Sequence, residues 1–361
     1  MITKLNEQKP WWKANLNKKI ILRNIKKTVD NNHITFSKNC FEIEKNLKKI
    51  LKVKHVILTN SGTSALFMAT LAANIQKRRR VFCPIMTWSG TINGALYANK
   101  QISFIDNNKN SLNANYFSLS KKLKKKDILF LTHINGKSAY DSKTFKMIKK
   151  KKVFVIEDAA QAFLVKDFKN KYLGTQFDIG CFSLSYTKMC NMVYGGFCVT
   201  NNNKLASILK TIRNNGVNNP HQIANNIGGN FKPNDINASV GIHSLKLSNQ
   251  NKKILIENYK YYKKNLKNNK IKLLDFNNLN KEFPLYIEAL TANRNKLFKF
   301  LKKKKIGYSF STRSLSLSPH IKLNKIFKNA EEIDKKLLRL PSGPGYNKRD
   351  LSKIIKFLNK Y

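Results

Sequence analysis

The chain has no apolar run approaching the roughly twenty residues of a membrane-spanning helix. Its opening stretch, MITKLNEQKPWWKANLNKK, lacks the apolar segment of a secretory signal. Insertion into or passage across a membrane is therefore not expected, and a cytoplasmic location is. Cysteine is also sparse. Cys40, Cys83, Cys181, Cys190 and Cys198 are odd in number and show neither a CxxC pair nor Cys/His metal spacing. Free thiols are expected, with no structural zinc and no metal site. Acidic residues are scarcest relative to their counterparts, with 20 Asp and Glu against 69 Lys and Arg and a formal charge of +49. Such a balance ordinarily marks a polyanion partner. Here the lysines run through almost the whole length beside many asparagines and isoleucines, residue types with AT-rich codons. Base composition accounts for the charge more simply, so no specific nucleic-acid partner and no membrane partner is expected. A field of this sign still attracts a phosphorylated substrate.

What is present is a large globular protein. Its 361 residues, 42% of them hydrophobic, suffice for one large domain and a smaller one. After a helical lead-in over residues 1–30, with Trp11 and Trp12 as packing or interface residues, FEIEKNLKKIL sets Phe41, Ile43, Leu47, Ile50 and Leu51 on one helical face. Strands at 55–59, 81–85, 101–106 and 127–133 then alternate with helices at 65–73, up to Tyr97, and at 118–126. A lysine-rich surface helix follows at 143–152. This alternation predicts an α/β fold with a mainly parallel, doubly wound sheet. An Asn/Gly-rich loop spans 214–237, and helices are expected at 236–246 and 250–266. A smaller C-terminal α/β domain carries a strand at 283–289 and helices at 293–304 and 348–358. The division predicted is 1–245 for the large domain and 246–361 for the small one. There are no internal repeats.

The chemistry concentrates between Val153 and Gly196. The β-branched run Val153 to Ile156 reads as a buried parallel strand, with Glu157 and Asp158 at its end, the edge at which open α/β sheets bind ligands. About thirty residues on, the strand Cys181 to Ser185 leads into Tyr186-Thr187-Lys188 and ends at Gly195-Gly196. A carboxylate and a lysine at neighbouring strand ends fit pyridoxal 5′-phosphate (PLP). It bonds covalently to a lysine amine, and it works as an electron sink while a facing carboxylate keeps its ring nitrogen protonated. Taken singly, Asp158 is a strand-end cap and Lys188 one of many solvated lysines. Upstream, Asn60-Ser61-Gly62-Thr63-Ser64 turns from a strand into a helix. Such a turn serves equally as an ordinary N-cap or as an anion site. Trp88 at another strand end either stacks on a planar ring or fills the core. His133, after ILFLT, is more simply structural than catalytic.

Together these segments resemble the DegT/DnrJ/EryC1/StrS family, the sugar aminotransferases of PLP fold type I. The resemblance runs from about Phe41 to the C-terminus and rests on SGTSAL, VIEDAAQAF, FSLSYTK, YGGFCVT, RNNG and LPSGPGY in that order. It implies Lys188 as the lysine that carries PLP, Asp158 as partner of the ring nitrogen, and Gln161 as a contact of the ring hydroxyl. It implies Gly62, Thr63 and Ser183 at the phosphate and Trp88 over the ring face. Asn230 is similar to an asparagine that reaches the phosphate of the other subunit, which implies a homodimer with a shared active site. Lys188 also favours transamination, because relatives that dehydrate sugars carry histidine there. The implied reaction moves nitrogen from glutamate or a similar donor to a nucleotide-linked keto-sugar, for polysaccharide or glycoconjugate synthesis. Lys232 and Arg313 are candidate contacts for substrate phosphates. The chain departs from the family pattern at Val193-Tyr194, where Gly-Glu is usual, at Lys232-Pro233 for Arg-Met, and at Arg79-Arg80 for Gly-Asp. These departures bear on substrate more than on cofactor. They leave as the rival a non-catalytic member that binds polyanions or regulates.

Overall fold

The computed structural model describes residues 9–74, 77, 78, 80–218, 223, 224, 227–276 and 278–361. Arg79 and parts of the 1–30 lead-in and the 214–237 loop lie outside them. Seven strands form the central sheet: β1 (His55–Thr59), β2 (Val81–Pro84), β3 (Ile102–Ile105), β4 (Ile128–Thr132), β5 (Phe154–Asp158), β6 (Ile179–Ser183) and β7 (Gly196–Thr200). Their order is β1-β7-β6-β5-β4-β2-β3, and β7 alone runs against the rest. Strands β4 and β5 are buried along their whole length, as a sheet covered on both faces requires. The helices of this part of the chain are α1 (Lys18–Asp30), which lies on α7, α2 (Lys38–Leu51), α3 (Gly62–Ala72), α4 (Asn93–Tyr97), α5 (Ser142–Lys151), α6 (Asn203–Arg213) and α7 (Asp235–Lys246). Helix α8 (Ser248–Asn265) leads out of it, with Leu255 in the large sheet's core and Tyr259 and Tyr262 in the small sheet's. A three-stranded antiparallel sheet follows, with β8 (Lys272–Leu273), β9 (Ile287–Leu290) and β10 (Leu337–Leu340) in the order β10-β9-β8. Helices α9 (Arg294–Lys303), α10 (Lys328–Lys336) and α11 (Lys348–Leu358) accompany it.

This small sheet has its own apolar cluster, drawn from residues between Tyr259 and Leu358. Its connections also enter the large sheet's core. Phe283 and Leu285 pack on one face, and Leu315, Phe327 and Leu337 on the other. That dual allegiance explains why the expected strand at 283–289 is only β9. The chain bends at Leu285 and Tyr286, the partner strand β8 is only two residues long, and the side chains of Phe283, Leu285 and Tyr286 are committed to the other core.

Three further expectations change. The helix expected at 118–126 is a 3₁₀ turn at Tyr116–Leu119 followed by turns. Lys121, Lys122, Lys124, Lys125 and Lys126 repel at helical spacing, and no acid among them offsets it. On α2, Cys40, Ile43, Leu47 and Leu51 are buried while Phe41 is exposed and packs edge-on against Phe36. The buried carboxylate of Asp235, at the start of α7, accepts from the backbone N–H of Ser37, Asn39 and Cys40. It therefore caps α2 from outside the helix and fixes its rotation. Among the described residues of the lead-in, only 18–30 are helical. Lys9 and Trp12 instead pair with Ile306 and Ser342, and Trp12 is buried.

Candidate functional site

The C-terminal ends of β4, β5 and β6, the N-terminus of α3 and the segment Ser309–Arg313 enclose a cleft of about 630 Å³. Asp158 is the last residue of β5 and stands beside Cys181 of β6. The carboxylate is buried, and it accepts from Thr91 Oγ1 at 2.7 Å and from the Ala160 N–H at 3.1 Å. Thr87 lies 2.8 Å from the Thr91 hydroxyl and completes a short relay that fixes its direction. Burial raises the Asp158 carboxyl above the usual carboxylate range. The Thr91 and Ala160 bonds oppose this, and Lys188 and His133 oppose it through space. A buried carboxylate in this condition favours a cationic donor.

Lys188 lies in the loop between β6 and β7, which is pinned from three sides. Trp12 Nε1 donates to the Tyr186 carbonyl, Asn251 of α8 to the Met189 carbonyl, and the Asn191 N–H to Ser244 Oγ of α7. Beneath the loop, Phe182 and Phe197 stack across β6 and β7 with centroids 4.5 Å apart, a contact worth about 1 kcal/mol beyond the area it buries. The half-buried Lys188 amine is thereby held in the cleft, donating to the Tyr286 hydroxyl at 3.0 Å. Burial alone would raise the Tyr286 phenol. The charges of Lys188 and Arg339, with a bond to Thr187, outweigh it and bring the phenol below its ordinary value.

The phosphate turn is equally defined. Ser61 is the N-cap of α3, its hydroxyl accepting from the Ser64 N–H at 3.0 Å. The first backbone N–H groups, those of Gly62 and Thr63, have no helical acceptor and lie at the positive end of the helix dipole. Here glycine is demanded by close approach, since a Cβ on Gly62 would lie 2.8 Å from Ser183 Cβ. Gly196 of β7 is similarly confined, a Cβ there falling 2.5 Å from the Gly62 nitrogen. Ser183 and the α3 terminus thus face one space. Gln161 also lines the cleft, anchored by the Asn135 N–H at 2.9 Å and by Thr312 at 3.3 Å. Trp88 is 67% exposed at the rim, so it is not a core residue. His133 has both ring nitrogens engaged, by Glu157 Oε1 at 3.2 Å and the Ala139 N–H at 3.1 Å.

Of the ten site residues expected from the sequence, Gly62, Thr63, Trp88, Asp158, Gln161, Ser183, Lys188 and Arg313 line this one cleft. Asn230 and Lys232 are exposed outside it. The Asn230 carbonyl accepts from Asn60 Nδ2, just before the α3 turn. Val193, at the departure from Gly-Glu, takes φ +65°, a left-handed conformation costly for a β-branched residue. Sequence reasoning missed Thr91, Tyr286, Glu288 and Arg339. Thr91 follows a strand end in a Thr-x-x-x-Thr spacing that could have signalled it. Nothing local marks the other three.

Comparison with known proteins agrees with this geometry. A transaminase of UDP-4-amino-4,6-dideoxy-N-acetyl-beta-L-altrosamine from Campylobacter jejuni is 28% identical over 344 residues, covering 90% of this chain and 89% of that protein. An aminotransferase structure from Brucella abortus superposes with a TM-score of 0.86 at 23% identity, covering 95% of each chain. Helicobacter pylori PseC, an aminotransferase involved in the biosynthesis of pseudoaminic acid, gives 0.85 at 22%, covering 98% of each. These likenesses confirm the expected fold, that of PLP fold type I aminotransferases. The family match itself extends over residues 15–359. The chain belongs to the DegT/DnrJ/EryC1/StrS aminotransferase family.

Proposed function

We propose that this enzyme transfers an amino group from an amino-acid donor, glutamate or a close analogue, to the carbonyl of a nucleotide-linked keto-sugar. The product is an amino-sugar for polysaccharide or glycoconjugate synthesis. The observation that carries the reading is the convergence of Lys188 Nζ, the buried Asp158 carboxylate and the α3 N-terminus on one cleft. PLP is the cofactor of the family, and the residues fit it. Asp158 is a carboxylate suited to a ring N–H, Lys188 an amine suited to an aldehyde, and the Gly62–Ser183 cradle an anion site that any larger residue at 62 would fill.

When bound, PLP supplies the electron sink that makes the carbon next to nitrogen acidic. Asp158 holds the ring nitrogen protonated, and Thr91 and Ala160 keep the carboxylate aimed. Lys188 Nζ would hold the cofactor and, when free, would take and return the proton at the reacting carbon. Tyr286 keeps that amine in place between these two duties. Gln161 would meet the ring hydroxyl, Trp88 would cover the ring face, and Gly62, Thr63 and Ser183 would receive the phosphate. Arg313 at the cleft and Lys232 outside it are allotted to the phosphates of the sugar nucleotide, and Asn230 to the cofactor phosphate of a second subunit. The unit that binds the cofactor is taken as 1–245 and the smaller one as 246–361, near the α7–α8 junction. No described helix is long and apolar enough to cross a membrane.

The purified protein should carry the visible absorbance of lysine-linked PLP. Lys188→Ala should lose it, together with at least roughly a thousandfold in turnover. An unchanged spectrum in that variant would sink the assignment. Mixing the pyridoxamine form with a panel of nucleotide keto-sugars, and following return of the aldehyde form, identifies the acceptor.

A further inference from the structure

A second recess, of about 620 Å³, opens at β3, the edge strand of the large sheet, and shares no lining residue with the cleft. Its size is that of a small-molecule site. The floor is apolar, for Phe82, Phe104, Ile321 and Phe327 are all buried there, and Phe104 and Phe327 meet edge-on with centroids 6.3 Å apart. Because β3 pairs only with β2, the backbone of Phe104 turns away from the sheet, and its carbonyl accepts from Lys325 Nζ at 3.3 Å. The rim is basic. Arg80, Lys100, Lys122, His320, Lys322 and Lys325 line the recess, and among the described residues no Asp or Glu does.

In a chain with 69 Lys and Arg, basic side chains at a surface carry little meaning by themselves. Arg80 sets this rim apart. It stands at a departure from the family pattern, where Asp is usual, and it is fixed in advance. The buried Asp127 accepts from its Nε at 3.1 Å and its Nη2 at 2.8 Å, and the Lys124 N–H donates to the same carboxylate at 2.8 Å. The guanidinium lies 5.0 Å from the Phe82 centroid, with 33% of the side chain exposed. Among the described residues Nη1 has no protein acceptor. An acid behind the rim is thus already neutralised, and the field in the recess is positive. A basic rim over an apolar floor suits an anion with a flat body, whose phosphates gain charge-assisted bonds while its ring covers aromatic surface. We propose that this recess binds a nucleoside diphosphate, its base over the Phe104–Phe327 floor and its phosphates at Arg80, Lys122 and Lys322. The site is separate from the cleft and does not depend on the transaminase reading.

The test uses the holoenzyme with ADP as the probe, in about 0.15 M salt, where charges more than about 8 Å away are largely screened. Calorimetric ADP binding should weaken about ten- to a hundredfold in Lys122→Glu/Lys322→Glu. Lys146→Glu/Lys150→Glu makes the same charge change at exposed positions of α5 and should leave that binding unaltered. Inorganic pyrophosphate, which has no base, should bind at least roughly tenfold more weakly than ADP. An azido-ADP photolabel should fall on residues 320–327. Equal losses in the two variants would reduce the effect to net charge and overturn the proposal, as would unchanged affinity in Lys122→Glu/Lys322→Glu. Pyrophosphate binding as tightly as ADP would overturn it too, leaving a site for a bare anion, and so would label confined to peptides of the cleft.

Discussion

Each wall of the cleft holds a buried carboxylate, and the protein treats the two in opposite ways. On the C-terminal wall, Glu288 is given a cation by the fold itself, Arg339, with Asn135 and Ser311 filling its remaining positions. On the sheet wall, Asp158 receives one hydroxyl and one amide, while Lys188 and His133 act on it only through space. The first carboxylate is a fixture and the second a receptor. A buried acid that the protein has already neutralised shapes its surroundings. One left short of positive charge recruits that charge from a ligand.

Four substitutions would break or sharpen this contrast. Asp158→Asn should cost the most in function, a roughly hundredfold or greater loss of turnover measured at saturating substrates, with the fold intact. Its stability signature is of the opposite sign. Because the folded-state pKa of Asp158 is raised, its contribution in the cofactor-free protein is full below the ordinary carboxylate range and is lost as pH rises through the raised value. The cofactor-free Asn variant should lack that fall when melting is followed against pH, and an identical pH dependence would refute the receptor role. Glu288→Gln should do the reverse. It strands the half-buried Arg339 and lowers unfolding free energy by roughly 3 kcal/mol in denaturant titrations. Equal stability losses in the two variants would erase the distinction. Tyr286→Phe removes the bond to Lys188 Nζ, and turnover should fall about tenfold while the PLP absorbance persists. Smallest is Val193→Gly. It relieves a left-handed β-branched residue at the edge of the sheet wall and should stabilise by about 1 kcal/mol in thermal melts.

The two walls also differ in how far the sequence reveals them. Asp158 ends one strand and Lys188 follows the end of the neighbouring strand by five residues in a contiguous segment, so hydrophobic runs and their termini suffice to place them on one sheet edge. The α3 turn is legible for the same reason, its strand, cap and glycine being consecutive. The opposite wall is built from residues whose meaning lies in distant partners. Arg339 is one of 69 basic residues and is singled out only by Glu288, 51 positions earlier. Tyr286 stands in a stretch that reads as a plain strand, and its role appears only when the β6–β7 loop is laid against it. The helix expected at 118–126 failed for a different reason. Its period was helical, but its charges were all of one sign.

The pairing of residues 9–13 with 306–345 bears on how the molecule is made. The Ser342 N–H donates to the Trp11 carbonyl and the Lys13 N–H to the Ser342 carbonyl, so this clasp joins chain positions more than 300 apart. Trp12 also steadies the Lys188 loop, through Tyr186. On the ribosome the large sheet can assemble while residues 9–13 still wait for partners about 300 to 330 positions downstream. Contacts of such separation form late and slowly. The clasp that seats Trp12 against the Lys188 loop can therefore close only after synthesis has passed Ser342.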